Sequence, residues 1–362
     1  MSNVLGKRLT ITLFGESHGE YIGAVLDGLP AGFAIDEQEI AKQLSRRRPS
    51  GKGETKRVEK DEFKIISGVY QGHSTGAPIT ILIPNSDTKS KDYEKLANTP
   101  RPSHADYAAL LKYNGFNDPR GGGRFSGRLT APLVAVGGII IPILESQGIY
   151  LFSHIKELGG YHDTPFLGLD LEKLDYSSLQ NSPFPTIDEE VGSSMKKAIE
   201  EVAASGDSIG GTVETAIIGV PAGLGDPNFD SFESLLSHAI FSIPAIKGLE
   251  FGKGFGFKDG LGSTLNDQFA IGERRVYTTT NNNGGINGGI SNGMPIFFSS
   301  SVKPTPSISK PQKSVDLEKL SPVELSIPGR HDPAIVRRII PVIEAMAAFV
   351  TMDLFIDSFG RD

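Results

Sequence analysis

Apolar and polar positions recur with helical spacing in two separate stretches of the chain. In the first, Asp36 and Glu39 have the spacing of a capping box, and Ile40 and Leu44 lie one turn apart. The pattern stops at Pro49, because proline cannot continue a helix. The spacing predicts an amphipathic helix between residues 36 and 49.

The second stretch, residues 188–205, predicts another amphipathic helix, with Gly206 as its stop signal. Its apolar face is carried by Val191, Met195, Ile199 and Val202. Near the carboxyl end, residues 341–356 have apolar side chains on every side of a predicted helix. We expect this third helix in the core or at a subunit interface.

Strand-like patterns lie between the helices. Residues 211–220 alternate between apolar and polar, which predicts a strand with one buried face, and residues 77–83 are rich in β-forming side chains. Residues 84–103, 159–185 and 303–328 are polar or punctuated by proline, and we expect long loops there. Helices and strands are therefore mixed along the whole chain.

Three sequence echoes recur in the same order in the two halves of the chain. L-P-A-G at 29–32 is matched by V-P-A-G at 220–223, and G-H-S-T-G-A-P-I at 72–79 by G-I-S-N-G-M-P-I at 289–296. I-I-P-I-L-E at 140–145 is matched by I-I-P-V-I-E at 339–344. The order predicts one internally duplicated domain, with halves at about 1–150 and 205–362.

Composition narrows the classes of function. The 362 residues include 43 glycines and no cysteine, and the formal net charge is −7. The lack of cysteine removes disulfides and thiolate chemistry, and the acidic charge argues against general nucleic-acid binding. Arginines nevertheless cluster at 46–48, 120–128 and 330–338. The clusters favour one focused site for an anionic ligand, with ordinary surface ion pairs as the alternative.

The sequence also suggests where the protein is found. Residues 1–12 lack the basic-then-apolar layout of a signal peptide. The longest apolar run, residues 133–144, contains Pro142 and is too short to span a bilayer. We expect a cytoplasmic protein with no membrane partner.

Two motifs place a histidine in a turn. F-G-E-S-H-G follows a strand-like run, so His18 is a candidate general acid for an anionic leaving group, or else a turn residue that caps carbonyl groups. P-R-P-S-H-A-D-Y fixes Arg101 between prolines, where it can hold a phosphate or carboxylate or form an ordinary ion pair. His104 lies three residues after Arg101 and can serve the same ligand.

The run R-G-G-G-R-F-S-G-R at 120–128 has the composition of an anion site. Consecutive glycines let backbone N–H groups converge on a phosphate, and flanking arginines neutralise its charge. The spacing matches neither a P-loop nor a dinucleotide-binding turn, and an RGG-like RNA contact is the competing interpretation.

Two further motifs lie in the second half. In P-G-R-H-D-P, Arg330 and Asp332 can form an ion pair or act separately on ligand and proton, although Asp332 can also simply cap the following helix. N-N-N-G-G-I-N-G-G at 281–289 suits a turn that binds a flat heterocycle or one exposed to solvent. The histidines have no paired spacing, so we predict no protein-ligated metal.

Together these motifs resemble chorismate synthases along the whole chain. The segments that carry the resemblance are, in order, F-G-E-S-H-G, D-G-x-P-A-G, R-R-R-P, R-P-x-H-A-D-Y, R-G-G-G-R, G-D-S-I-G-G, G-V-P-A-G-L-G, K-G-x-E-F-G, G-G-I-x-G-G-I-S, K-P-T and G-R-H-D-P. The resemblance implies an α+β fold, a duplicated β-α-β sandwich assembled as a homotetramer. It implies a lyase that uses reduced FMN for the 1,4-anti elimination of phosphate from 5-enolpyruvylshikimate-3-phosphate, giving chorismate with no net redox change.

The resemblance also implies roles for single residues. His18 would protonate the leaving phosphate, His104 would protonate or hold the reduced flavin, and Asp332 would accept a proton with Ser17 and Ser126 supporting the relay. The positions that match flavin contacts are Arg124, Phe125, Ser126, Ala245, Gly288, Lys303, Pro304, Thr305, Pro306, Ser307 and Arg330. The positions that match substrate or NADP contacts are Arg47, Arg48, Arg101, Arg128 and Arg330.

Two other classes of function stay open at this stage. One is an FMN-dependent oxidoreductase, which the lack of a nicotinamide motif disfavours. The other is a non-catalytic binder of phosphorylated metabolites, which would need arginines but not the histidines and Asp332. The sequence leaves open whether the flavin is reduced by NADPH on this protein or by an external reductant.

Overall fold

The computed structural model describes residues 3–49, 61–85, 98–272, 276–327 and 331–359. The strands and helices of the first half are β1 (Val4–Leu5), β2 (Thr10–Gly15), β3 (Tyr21–Asp27), α1 (Glu37–Arg46), β4 (Lys64–Ser67), β5 (Val69–Tyr70), β6 (His73–Ser74), β7 (Ile79–Pro84), α2 (Asp106–Lys112) and α3 (Thr130–Ser146). Short 3-10 helices at Arg120–Phe125 and Gly127–Leu129 precede α3.

The second half begins after α3. Its elements are β8 (Tyr150–Leu158), β9 (Tyr161–His162), α4 (Tyr176–Asn181), α5 (Glu189–Ala204), β10 (Gly211–Ile218), α6 (Phe232–Phe241), β11 (Ile246–Phe251), α7 (Gly262–Leu265), β12 (Phe269–Ile271), β13 (Val276–Thr278), β14 (Ile286–Asn287), β15 (Ile290–Ser291), β16 (Ile296–Val302), β17 (Gln312–Asp316), β18 (Ser321–Leu325) and α8 (Val336–Phe359). Asn228–Asp230 and Gly254–Asp259 form 3-10 helices.

Two antiparallel five-stranded sheets enclose the helices. The first has the strand order β1-β2-β3-β7-β4 and the second β11-β16-β10-β8-β9. Helix α3 packs on β3 and β7 of the first sheet with α1 beside it, and α8 and α6 pack on the second sheet. The resulting order of sheet, helices, helices and sheet confirms the predicted α+β sandwich.

The two halves meet where α3 crosses α8. A methyl group added to Gly137 would lie 2.4 Å from Cβ of Ala345, so the helix backbones are in direct contact there. Glycine is required at this position because any side chain would push the helices apart. On the other side of α3, Gly138 allows the same close approach to Ile40 of α1.

Both halves close one turn with the same hydrogen bonds. In the first half, the Ser74 hydroxyl donates to the Pro30 carbonyl (2.7 Å) and accepts from the N–H of Phe33 (3.0 Å). In the second, the Ser291 hydroxyl donates to the Pro221 carbonyl (2.6 Å) and accepts from the N–H of Leu224 (2.9 Å). The sequence echoes at P-A-G and G-x-S therefore meet each other in space within each half.

The predicted helices are confirmed, with small shifts at their ends. Asp36 caps α1 by accepting from the N–H of Gln38, and Asp188 caps α5 by accepting from Glu190 and Val191. Helix α8 begins at Val336, five residues before the predicted start at Pro341, and is buried on all sides. The helix continues through Pro341, which lies in its second turn.

Residues 159–185 are not a simple loop. Phe166, Leu171 and Leu179 are buried and pack on Phe152 of β8 and Phe297 of β16. Residues 159–185 thus cover the second sheet, and β10 is buried on both of its faces. The prediction of a half-buried strand at 211–220 was therefore wrong.

A buried network of charged side chains links residues 159–185 to the second sheet. His154 is fully buried, with Nδ1 2.7 Å from a carboxylate oxygen of Asp163 and Nε2 3.1 Å from one of Glu214. Asp163 accepts from the N–H of Ile187, and Glu214 accepts from the N–H of Phe166, each at 2.6 Å. We call His154, Asp163 and Glu214 the His154 network.

The predicted loop at 303–328 also contains structure. Residues 312–325 form the β17–β18 hairpin, whose strands are paired from Gln312 and Leu325 to Asp316 and Ser321. Of the predicted loop at 84–103, the part from 86 to 97 lies outside the described residues.

Two stretches, Gly127–Ser146 and Val336–Phe359, are long and apolar enough to cross a membrane by length and composition. The first extends beyond the run at 133–144 on which the sequence argument rested. Within the molecule, however, 83% and 94% of their most apolar windows are buried, and the two helices pack on each other. Both have the character of core helices.

Candidate active site

The glycine run is the centre of the candidate site. Gly121, Gly122 and Gly123 all have positive φ, between 51° and 83°, which side-chain-bearing residues rarely adopt. A methyl group added to Gly121 would lie 2.1 Å from Cε1 of His18, and one added to Gly122 would lie 3.2 Å from Cε1 of His104. The two predicted histidines therefore contact neighbouring residues of one loop.

Ser17 fixes the turn that carries His18. The Ser17 hydroxyl lies 3.1 Å from Nδ1 of His18 and 3.2 Å from the carbonyl oxygens of Arg120 and Gly121. Its backbone N–H also donates to the carbonyl of Gly123 at 3.3 Å. The F-G-E-S-H-G turn and the glycine run thus form one hydrogen-bonded unit.

His104 shares its surroundings with a strong ion pair. Arg101 donates to both carboxylate oxygens of Asp106, from Nε at 2.8 Å and from Nη2 at 2.7 Å. Nη2 of Arg101 also lies 3.1 Å from Nδ1 of His104, and Asp106 Oδ1 lies 2.7 Å from the same ring nitrogen. One carboxylate therefore contacts two basic side chains.

Burial by itself would raise the pKa of Asp106, but hydrogen bonds and charge from Arg101 and His104 outweigh it. They hold the pKa of that carboxyl group well below its usual range, so Asp106 is ionised throughout the neutral region. Beside it lies a cavity of about 250 Å³ whose lining includes Arg101, Asp106, Gly122 and Phe125.

The segment 303–307 reaches the same place from the second half. Lys303 donates through Nζ to the carbonyl of Ser103 at 2.6 Å, and its N–H donates to the carbonyl of Ala245 at 2.9 Å. Ala245 has a φ of 77°, in the left-handed region. The buried hydroxyl of Thr305 has no hydrogen-bond partner among the described residues.

Arg47 and Arg128 meet at a buried carboxylate that the sequence analysis did not single out. Asp61 is 4% exposed and forms ion pairs with Arg128 and, at 3.6 Å, with Arg47. Arg47 also donates to the hydroxyl of Thr130 at 2.9 Å and to the carbonyl of Gly127 at 2.7 Å. These contacts fix both guanidinium groups next to the glycine run.

Asn85 links this arginine pair to the His18 turn. Its side-chain amide donates to the carbonyls of Glu16 (3.0 Å) and Gly19 (2.8 Å), and its carbonyl oxygen accepts from Nε of Arg128 (3.2 Å). No motif marked Asn85 or Asp61, because each acts through contacts distant in sequence. Asp106, by contrast, lies within the motif P-R-P-S-H-A-D-Y.

Asp332 lies in the segment just before α8 and reaches the arginines from there. It forms an ion pair with Arg338, whose Nε donates to the carbonyl of Arg47 at 2.9 Å. Helix α8 starts four residues after Asp332, so capping that helix is not its role. The predicted partner Arg330 lies outside the described residues.

Other predicted site residues have contacts of their own. Ser126 caps the 3-10 helix Gly127–Leu129 by accepting from the N–H of Arg128, and Arg124 donates to Asn3. The Arg48 carbonyl accepts from Arg337 at 2.5 Å. Gly288 lies in the turn between β14 and β15, where an added methyl group would meet no atom of the described residues within 4 Å.

The rest of the predicted flavin segment follows Lys303. Pro304 packs near Gly210, the Pro306 carbonyl accepts from Gln312 at 3.3 Å, and Ser307 is half-buried. Among the described residues no three histidine or acidic side chains are grouped so as to hold a metal ion.

Comparison with known proteins identifies what the whole arrangement resembles. The family model described as chorismate synthase matches residues 9–356. A chorismate synthase of Thermococcus gammatolerans is 46% identical over 349 residues, covering 96% of each chain. One of Methanosarcina barkeri is 46% identical over 353 residues, covering 97% of this chain and 95% of its own.

The relationship extends to bacteria and to solved structures. A chorismate synthase of Dehalococcoides mccartyi is 45% identical over 355 residues, covering 98% of this chain and 96% of its own. A crystal structure of chorismate synthase superimposes with a TM-score of 0.76 at 31% identity, covering 97% of this chain and 93% of the other.

Proposed function

The chain belongs to the chorismate synthase family, and from that premise we propose that the glycine run with His18, His104 and Asp332 is where it eliminates phosphate from 5-enolpyruvylshikimate-3-phosphate. As a member of this family it is a chorismate-forming lyase of the shikimate pathway. The observation that carries the proposal is the contact of both histidines with Gly121 and Gly122. Two acid–base groups on one anion-binding loop suit a reaction in which phosphate departs and protons move.

His18 is proposed as the general acid for the leaving phosphate. Carbonyl groups only accept hydrogen bonds, so the Ser17 hydroxyl donates to the carbonyl of Arg120 or Gly121. Its oxygen can then accept a hydrogen bond from Nδ1–H of His18. That arrangement orients the ring beside the glycine run. A protonated His18 then neutralises negative charge as the C–O bond to phosphate breaks.

The arginines are proposed to hold the three anionic groups of the substrate. Arg101 is fixed by Asp106, while Arg47 and Arg128 are fixed by Asp61. Guanidinium groups that are already immobile lose little conformational entropy when they bind a phosphate or carboxylate. Arg48 and Arg330 are proposed to join them.

The family requires a reduced flavin, and we propose FMN bound by residues 124–126, Ala245, Gly288, residues 303–307 and Arg330. The residues suit such a ligand, because the buried Thr305 hydroxyl lacks a partner in the described structure and the turn at Gly288 is open. When bound, a reduced flavin supplies electron density to a substrate whose C6 hydrogen is not acidic and recovers it afterwards. The cavity beside Phe125 supports a ligand position next to the glycine run.

Side chains of the protein are proposed to hold the flavin and to transfer protons around it. Asp332 is proposed to receive the proton released from the substrate, with Ser17 and Ser126 supporting the transfer. His104 is proposed to hold or protonate the flavin at the face next to Gly122. NADPH is proposed as the reductant of the flavin.

We propose that the protein works as a homotetramer in the cytoplasm. Residues 254–272 and 276–278, which we call the apolar arm, expose large side chains. Phe255, Leu261, Phe269 and Ile271 are each more than 70% exposed. A cluster of this kind supports contact with another copy of the chain, because isolated proteins rarely leave such surface in water.

The test of the function is anaerobic chorismate formation with dithionite-reduced FMN and the enolpyruvyl substrate. We expect many turnovers per flavin with no net flavin oxidation. His18→Ala and His104→Ala should each lower kcat by about 100-fold or more, the usual contribution of a general acid. His162→Ala, a change at an exposed histidine of β9, is the matched control and should keep full activity.

The other outcomes separate the alternatives. Flavin binding with no chorismate and steady NADPH oxidation would favour an oxidoreductase. Near-normal turnover in both histidine variants would contradict their assigned roles.

A further inference from the structure

We propose that Asp106 is a positioning residue for the reaction, the shared counterion that lets His104 and Arg101 act side by side as two cations. The inference rests on the proposed roles of His104 and Arg101, and it concerns a residue that touches neither substrate nor flavin in those roles. It predicts that the charge of Asp106, and not only its shape, sets the pH range of activity.

The carboxylate of Asp106 contacts both Arg101 and His104. Oδ2 of Asp106 accepts from the backbone N–H of Arg101 (3.0 Å) and from its Nε (2.8 Å). Oδ1 accepts from Nη2 of Arg101 (2.7 Å) and lies 2.7 Å from Nδ1 of His104. Both oxygens are therefore used, and one of them lies between the two basic groups.

The charges around His104 explain why a carboxylate is needed between the two basic side chains. Nη2 of Arg101 is 3.1 Å from Nδ1 of His104, a distance at which one cation strongly disfavours a second. The ammonium of Lys303 adds positive charge nearby, since it bonds to the carbonyl of Ser103. Asp118 and Arg120, at the start of the glycine run, pair with each other and leave little net charge. Among these groups Asp106 supplies the negative charge that directly faces the ring.

The same contacts orient the ring. With Nδ1 directed at Asp106 and Arg101, the opposite edge of His104 faces Gly122, where an added methyl group would be 3.5 Å from Nε2. Protonated His104 then points its Nε2–H at the glycine run, where the ligand is proposed to lie. A carboxylate behind a histidine that fixes its orientation and stabilises its charged form is a known catalytic arrangement.

The decisive variant is Asp106→Asn, which keeps the shape of the side chain and removes its charge. A general acid must be protonated to act, so activity through His104 is lost as pH rises. Without the carboxylate the charge of Arg101 is no longer balanced, and the alkaline fall in kcat should move to lower pH. At neutral pH, kcat should fall by about 10-fold or more, within the loss caused by His104→Ala.

Two comparisons exclude a merely structural effect. Asp106→Glu restores the charge and should recover most of the wild-type pH profile. Asp106 is also the first residue of α2, so Glu189→Gln, at the first residue of α5, controls for the loss of an acidic group at a helix start. Glu189→Gln should leave the pH profile unchanged.

A further comparison separates this inference from the proposed function. If His104→Ala lowers kcat while Asp106→Asn keeps the wild-type kcat and pH profile, the inference about Asp106 is overturned and the proposed role of His104 stands. If instead His104→Ala keeps full activity, it is the proposed role of His104 that has failed.

Discussion

Single residues determine how closely the site can be assembled. The glycine run works because its members have no side chain where the histidines lie, and because positive φ is open to glycine. The sequence predicted the importance of this run and of both histidines. It did not predict that Gly121 faces His18 while Gly122 faces His104, since the first of these contacts depends on the return of the chain after more than a hundred residues.

Gly121→Ala tests this contact. The new methyl group would lie 2.1 Å from Cε1 of His18 and 2.6 Å from the Ser17 hydroxyl, so the His18 turn must move. We expect kcat to fall by about 100-fold or more, as for loss of a general acid. Gly148→Ala is the control, because Gly148 has a φ of 79° but, in the part of the chain that the structure describes, no atom lies within 4 Å of the added group.

Both changes should lower the free energy of unfolding by about 1–2 kcal/mol through backbone strain. Only Gly121→Ala should lower activity in steady-state assays. Equal activity in the two variants would mean that the position of His18 does not matter.

At the scale of elements, capping residues and apolar spacing were enough to predict α1 and α5. The errors came from segments whose structure depends on distant partners. Residues 159–185 look like a loop because their few apolar side chains have no period, yet Phe166 and Leu179 cover the outer face of β10. Asp61 escaped notice for a similar reason, since only folding brings it between Arg47 and Arg128.

Because of the His154 network, the stability with which residues 159–185 pack on the second sheet depends on pH. Burial would lower the pKa of His154, but Asp163 and Glu214 outweigh it and raise that pKa above its ordinary value. The stability that His154 contributes is therefore complete below about pH 6.5 and is lost as pH rises through the higher pKa of the folded state.

His154→Gln should remove this dependence. At pH 6 we expect the free energy of unfolding to fall by about 3–5 kcal/mol, because buried Asp163 loses its cation and Glu214 is left with Lys156 alone. Between pH 6 and pH 9 the wild type should lose more stability than the variant in urea denaturation. His162→Gln, at an exposed histidine of β9, should behave like the wild type. Parallel curves for His154→Gln and the wild type would contradict the assignment.

At the scale of the molecule, the repeated sequence segments predicted a duplicated domain, and that organisation stays our proposal. In its favour, Ser74 and Ser291 make the same hydrogen bonds to matching P-A-G turns, and α3 and α8 occupy matching places beneath their sheets. The sandwich itself was predicted by family resemblance, since alternating patterns alone do not specify which sheet each strand joins.

The apolar arm gives a test of assembly. Replacing Phe269 and Ile271 together by serine should shift the protein from tetramer to smaller species in analytical ultracentrifugation, because both side chains are more than 70% exposed in the single chain. Leu320→Ser is the control, since Leu320 is 86% exposed on the turn of the β17–β18 hairpin. A tetramer that survives the double change but not Leu320→Ser would place the interface elsewhere.

The contact of Gly137 with Ala345 also restricts how molecules enter and leave the site. Because the backbones of α3 and α8 touch, the two halves have no room to hinge or slide against each other. The path from Asp332 through Arg338 to the Arg47 carbonyl joins the same two halves at the site. We therefore expect substrate and product to pass by small movements of turns and side chains, without the opening and closing of two lobes.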